Sequence, residues 1–340
     1  MKLGLVTSGG DCPGLNAAIR AVVRTANNRF GYETVGIRNG WKGLHDGDII
    51  PLPSKSVGGI LNRGGTILGT SRFNPVHDPD TLAHVLESIA LHRLDGIIVI
   101  GGDGSLSAGY ELSKHGAKII GIPKTIDNDI TGTDATFGFY TAVQTVTNAI
   151  DSLHATAESH HRIMIIETMG RNSGWIAVTA GIAGGADLIL IPERPFSWEK
   201  VCQQLVTRHE IKRFSIVVVA EGAVAEGEGI ITSGQLDNFG RPVYGGIGYR
   251  VAREIEQRTG ISTRVTALGH VQRSGTPVAE DRLLATTMGV HAVEAASQDQ
   301  FGHFVALRDG HLVTVPLSEM KGKTRFVDER MYEIAEIFFG

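Results

Sequence analysis

Five short apolar runs, each leading into a glycine or a polar loop, constrain this chain more than any other feature: residues 3–6, 96–100, 119–122, 162–166 and 216–220. Strands that are apolar on both alternating sides are covered on both faces, as in a parallel sheet sandwiched between helices. The segments 16–26, 81–92 and 139–153 carry apolar residues at helical spacing with polar faces. Strand, loop and helix therefore alternate, which predicts a doubly wound α/β sheet, and ligands of such sheets bind at the loops that follow the strands. The 340 residues suggest two lobes, with no composition shift to mark the boundary. From residue 304 onward a strand-like segment and a final helix are expected to pack back on the body, and residues 222–248 read as a surface excursion or mobile loop ahead of a helix-like YRVAREIEQR.

Several function classes fall away on composition. A net charge of −4 argues against a protein built to neutralise nucleic acid or an anionic membrane. No run of about 18 apolar residues is present to span a bilayer. Two cysteines, Cys12 and Cys202, are too few for a disulfide framework, and the opening apolar run is too short for a secretion signal; a reducing, cytoplasmic setting is expected.

The 44 glycines fall in short clusters beside the apolar runs, where they act as turn and phosphate-loop residues. The first cluster, Ser8-Gly9-Gly10-Asp11-Cys12-Pro13-Gly14, lies between a strand and a helix, where free amides favour anions, although a structural turn explains such glycines equally well. The second, Gly101-Gly102-Asp103-Gly104-Ser105, adds a carboxylate to a glycine loop, which suits a Mg²⁺-nucleotide; the bland reading is a helix cap by Asp103. The third, Pro123-Lys124-Thr125-Ile126-Asp127-Asn128-Asp129, sets two carboxylates two residues apart, so that an extended backbone points both the same way. One can take a proton from an attacking hydroxyl while the other helps hold a metal; alone, such a pair is usually a solvated turn. Arg162, Arg171, Arg264, His270 and Arg273 stand near strand ends or glycine turns and would suit a sugar phosphate, though each alone is more often an ion-pair partner or a structural residue.

In chain order, GGDCPGLNAAIR (9–20), GGTILGTSRF (64–73), GGDGS (101–105), PKTIDND (123–129), TFGFYTAV (136–143), IETMGRNSG (166–174) and LGHVQRSGTP (268–277) resemble the phosphofructokinase family as a set, up to about residue 290. The resemblance implies two lobes of Rossmann-like parallel sheet flanked by helices, with the active site in the cleft between them. Residues 1–138 with 253–304 would bind the nucleotide and 139–252 with 305–340 the sugar phosphate. It implies ATP-dependent phosphorylation of fructose 6-phosphate at its 1-hydroxyl with Mg²⁺, in a cytoplasmic homotetramer of glycolysis. Gly10, Arg72, Phe73, Gly102, Asp103, Gly104 and Ser105 would contact the nucleotide, and Asp103 and Asp129 would hold the metal. Thr125, Asp127, Met169, Gly170, Arg171, Glu221, His270 and Arg273 would contact the sugar phosphate, with Asp127 as base and Thr125 and Arg171 sharing in catalysis. Arg162 and Arg264 would reach the sugar phosphate of a neighbouring subunit.

Two positions bear on the donor. Glycine at 104 accompanies ATP in the family, where aspartate favours pyrophosphate; Lys124 points the other way, since pyrophosphate users share it. In an effector site known from bacterial members, Arg20, Arg24 and Asp187 fit the pattern, whereas His154 and Phe214 depart from it. A pyrophosphate-dependent enzyme is the main alternative. A dinucleotide-binding oxidoreductase lacks its G-x-G-x-x-G fingerprint here. A sugar-phosphate sensor would not need Asp103, Asp127 and Asp129 together.

Overall fold

The computed structural model describes residues 1–236 and 242–340. The chain folds into two compact units, residues 1–141 with 273–323 and residues 142–272 with 324–340.

The first unit is built on a seven-stranded sheet of β1 (Lys2–Ser8), β2 (Glu33–Ile37), β3 (Ile49–Pro51), β4 (Gly96–Gly101) and β5 (Ile119–Pro123), completed by β12 (His303–Arg308) and β13 (His311–Pro316) in the order β13-β12-β5-β4-β1-β2-β3. The central strands are parallel, and only the edge pairs β2–β3 and β12–β13 run antiparallel. β1, β4 and β5 bury nearly every residue, because the helices Leu15–Phe30, Pro79–Leu91, Asp103–Lys114 and Ala279–Ser297 supply the covering layers. Val6, Val99, Ile119, Leu106, Trp41 and Phe304 lie in one core cluster. Strand order reverses between β1 and β4, the place where a doubly wound sheet opens a crevice for ligands.

The second unit carries a parallel sheet of β6 (Ile163–Thr168), β7 (Leu188–Leu190), β8 (Ser215–Ala220) and β11 (Thr263–Ala267), in the order β11-β6-β8-β7. A separate antiparallel pair, β9 (Thr232–Leu236) with β10 (Pro242–Tyr244), lies inside the stretch read as a surface excursion. Of that stretch, residues 237–241 lie outside the described residues. Its far end is fixed: the buried Glu167 carboxylate accepts from the amides of Gly246 at 3.2 Å and Gly248 at 2.8 Å, capping the helix Ile247–Thr259.

The unit limits correct the expected ones at two segments. Residues 253–272, expected with the first lobe, belong to the second, because β11 pairs with β6 along its whole length. Residues 305–323, expected with the second lobe, belong to the first, because β12 pairs with β5 and then turns back as β13. The tail is thus divided, and its helix Glu329–Glu336 joins the second unit through the Tyr332 hydroxyl, which donates to the Ile189 carbonyl at 2.9 Å. Among the described residues no helix is long and apolar enough to cross a membrane.

Candidate active site

Three glycine-bearing loops leave the first sheet side by side. Ser8 is level with Gly101, and Gly101 with Pro123, so the loops beginning at 9, 102 and 124 emerge from adjacent strands about 5 Å apart. Gly14, at φ 105, turns the first loop into the helix Leu15–Phe30; a side chain there would strain the backbone and strike Phe137. The block at 64–73 is tied to the same place. Asn16, 1% exposed, donates to the Arg63 and Gly64 carbonyls and accepts from the Ile67 amide. The Gly9 amide donates to the Ser71 carbonyl at 2.9 Å, and the Thr70 hydroxyl donates to the Gly9 carbonyl at 2.6 Å. Arg72 and Phe73 are thereby carried to the rim of the first loop, with the Phe73 ring 5.2 Å from that of His45.

The second loop opens the helix Asp103–Lys114. Gly102 is its N-cap, so Asp103 stands one residue inside the helix, and its one described side-chain partner is the Ser107 hydroxyl at 3.4 Å. Capping does not account for Asp103. Ser105 is buried under the first loop, 3.2 Å from where a side chain on Gly9 would begin. A side chain on Gly104 would meet nothing within 4 Å, so the space above this residue is open.

The third loop alternates. Ile126, Asn128 and Ile130 are buried, while Thr125, Asp127 and Asp129 are half-buried; the backbone between the two carboxylates is not the extended one that the two-residue spacing assumes, yet they lie close enough for the charge of Asp127 to act on Asp129. Asn128 takes a left-handed conformation, φ 53, that asparagine tolerates better than most residues. The Asp127 amide donates to the Thr125 hydroxyl at 3.1 Å.

Charge converges on these loops. The Lys124 ammonium, 3% exposed, donates to the Gly10 and Ser8 carbonyls, and burial lowers its pKa. Arg273, expected among the sugar contacts, belongs to the first unit, and its guanidinium donates to the Asp11 carbonyl at 3.2 Å. Burial raises the pKa of Asp127 against the pull of Arg273 and Lys124. Asp129 is pushed up to about 7 by burial first, then by the charges of Asp127 and Asp103. Burial pushes the Cys12 thiol to about 12, leaving it a protonated packing group whose Sγ faces the Phe137 and Pro13 carbonyls.

Among the described residues no group of three or more His, Cys, Asp and Glu side chains is arranged to hold a metal by itself. Asp103 and Asp129 instead present two carboxylates that sense each other beside two phosphate-type loops. That donor set fits Mg²⁺, which binds through one or two carboxylates and completes its shell with water and substrate phosphate.

In the second unit, Met169, Gly170 and Arg171 follow β6, Glu221 follows β8 and His270 follows β11, all at the carboxyl end of one parallel sheet. Gly170 sits at φ 134, a conformation closed to other residues. The fully buried Gln272 braces this group: its Oε1 accepts from the Met169 amide at 3.2 Å and its Nε2 donates to the Gly269 carbonyl at 3.1 Å. Arg162 and Arg264 are not part of that cluster. Arg162 stands just before β6, six residues or about 20 Å from its carboxyl end at Thr168, and Arg264 is the second residue of β11, three residues or about 10 Å from its end at Ala267. Of the effector-type residues, Asp187 is already engaged by Arg208 at 2.6 Å and by the Ile216 amide, and the Phe214 ring lies against Arg208 and His154.

Sequence reasoning passed over Asn16, Thr136, Gln272 and Asp281, buried polar residues explained by partners elsewhere in the chain, from 8 residues away for Thr136 to 143 for Asp281. Asn16, Thr136 and Gln272 stood inside the motif blocks, but no spacing rule marks them out from their neighbours.

The family model Phosphofructokinase matches residues 2–296. A pyrophosphate--fructose 6-phosphate 1-phosphotransferase of Amycolatopsis methanolica is 50% identical, with 100% of each chain covered. An ATP-dependent 6-phosphofructokinase 3 of Streptomyces coelicolor is 47% identical, with 99% of each covered. The crystal structure of Pichia pastoris phosphofructokinase in the T-state superposes with a TM-score of 0.85 at 32% identity, over 99% of this chain and 36% of that longer one. With a family model spanning most of its length and full-length relatives at such identity, the chain belongs to the phosphofructokinase family of phosphotransferases.

Proposed function

We propose that this protein is an ATP-dependent 6-phosphofructokinase, converting fructose 6-phosphate and ATP to fructose 1,6-bisphosphate and ADP. The observation that carries this reading is the pair of close, half-buried carboxylates Asp127 and Asp129 on the loop that leaves β5 beside the two glycine loops. Asp127 takes the proton of the sugar 1-hydroxyl as that oxygen bonds to the γ-phosphorus. The bond to the bridging oxygen breaks, and its electron pair leaves with ADP. Lys124 and Arg273 favour the ionised form of Asp127, opposing the burial that raises its pKa. Gly10, Arg72, Phe73, Gly102, Gly104 and Ser105 hold the nucleotide, and Thr125 orients the Asp127 loop toward the acceptor. Asp103 and Asp129 would hold Mg²⁺, which would neutralise charge on the transferring group. Met169, Gly170, Arg171, Glu221 and His270, grouped at one sheet end, hold the sugar phosphate with Arg273; Arg171 also shares in catalysis.

The open space at Gly104 supports ATP, because nothing there blocks the nucleotide's inner phosphate. A second reading, with pyrophosphate as donor, is favoured by Lys124, whose buried ammonium on the first loop could replace charge contacts that a nucleotide brings. The 50% identity to the Amycolatopsis methanolica enzyme adds to it. Arg162 and Arg264, far from the remaining sugar-binding residues of their own sheet, support a site completed by a neighbouring subunit in a homotetramer. The two buried thiols accord with the cytoplasm.

Incubation with fructose 6-phosphate, Mg²⁺ and γ-labelled ATP tests the reading: label should appear at carbon 1 of the bisphosphate. Label released only as phosphate, or none transferred, would refute it.

A further inference from the structure

We propose that Thr136 is a positioning residue for the phosphoryl transfer, clamping the loop that carries Asp127 from both sides; this rests on the function proposed above. Thr136 is fully buried. Its hydroxyl donates to the Thr125 carbonyl at 2.7 Å, two residues before Asp127. Its amide donates to the Asn128 side-chain carbonyl at 3.0 Å, one residue after Asp127. A single residue thus grips the loop on either side of the base and reaches the asparagine whose left-handed backbone separates Asp127 from Asp129.

The clamp is itself anchored. Phe137 bridges to Lys124 through the backbone, and its ring packs where a side chain on Gly14 would begin. Asp281, with no exposed surface, accepts from the Gly138 amide at 2.8 Å, the Thr141 amide at 2.7 Å and the Thr141 hydroxyl at 2.5 Å. It fixes the start of the helix Phe139–His160, and with it residues 136–138. The first loop, the third loop and the helix Ala279–Ser297 therefore meet around residues 136–141, which Thr136 opens. A buried hydroxyl used this way does more than fill space, since the same volume without the hydrogen bond leaves the loop free to shift, and displacement of a catalytic group by about 1 Å costs on the order of 100-fold in rate.

Thr136→Val keeps the shape and removes the hydroxyl; Thr136→Ser restores it. Steady-state kinetics and thermal melting of both, beside wild type, form the test. The valine variant should lose kcat by about 30- to 100-fold with both KM values within about two-fold, and serine should recover most of it. A folded valine variant with wild-type kcat, or a loss that serine does not restore, overturns the role. Should valine prevent folding, Asn128→Gly decides, because glycine keeps φ 53 and removes the side chain that accepts from the Thr136 amide; wild-type kcat there also overturns it. A wild type inactive with either donor sinks the functional reading and this role together, whereas an active wild type with unaffected variants sinks the clamp alone.

Discussion

Gly104→Asp separates the two donors most sharply. A Cβ at this position meets no neighbour within 4 Å, so the new side chain starts in open space. It falls in the first turn of the helix Asp103–Lys114, where aspartate gains up to about 1 kcal/mol from the helix dipole and loses part of that to Asp103 next to it. Stability should therefore stay within about 1 kcal/mol of wild type, a shift of about 1–2 °C in Tm at this size. Function should not stay. The new carboxylate occupies the space assigned to the inner phosphate, and two like charges about 4 Å apart cost about 4 kcal/mol at an effective dielectric constant of about 20. That energy corresponds to about a 1,000-fold loss in kcat/KM for ATP. Fructose 6-phosphate binding, measured by equilibrium dialysis without donor, should be unaffected. The assay is bisphosphate formation over a range of ATP and, separately, pyrophosphate. An ATP kcat/KM within ten-fold of wild type would refute the placement of the inner phosphate over Gly104.

Asp127→Ser should lower kcat by about 100- to 10,000-fold while leaving the fructose 6-phosphate KM nearly unchanged, and an unchanged kcat would remove Asp127 from the mechanism. Asp129 has a folded-state pKa raised from 3.8 to about 7, so its protonation stabilises the fold below about pH 4 and the gain is lost as pH rises through about 7. With metal chelated, Asp129→Asn should be more stable than wild type at pH 8 by about 2 kcal/mol, after discounting for solvent screening, and equal to it near pH 4; urea unfolding with no such divergence would contradict the placement. Arg162→Ala should raise the fructose 6-phosphate KM with the donor KM unchanged, and equal losses for both would contradict the assignment.

The strands most legible in the sequence were those whose neighbours cover both faces. β1, β4, β5, β6 and β8 bury nearly every residue, and that shows as unbroken apolar runs. β7 has three residues and β2 starts at an exposed glutamate, so neither rises above its surroundings. The helix Trp175–Gly184 is apolar almost throughout and has no polar face to reveal its period. The unit boundary is silent in composition because the chain crosses between units more than once, and where each segment goes is decided by strand pairing: β11 beside β6, β12 beside β5. Within the site, the glycine loops and the spacing of Asp127 and Asp129 were legible because backbone conformation and residue periodicity are local properties. What Thr136, Gln272 and Asp281 do was not, since a buried polar residue is explained only by its partners, here up to 143 residues away.

Phosphoryl transfer from ATP to fructose 6-phosphate is the central activity proposed for this protein. Its most direct test is the initial rate of fructose 1,6-bisphosphate formation by the purified protein with Mg²⁺, given ATP in one series and pyrophosphate in the other. Turnover with ATP and none with pyrophosphate is the predicted result; turnover with pyrophosphate alone would show that Lys124, and not Gly104, governs the donor.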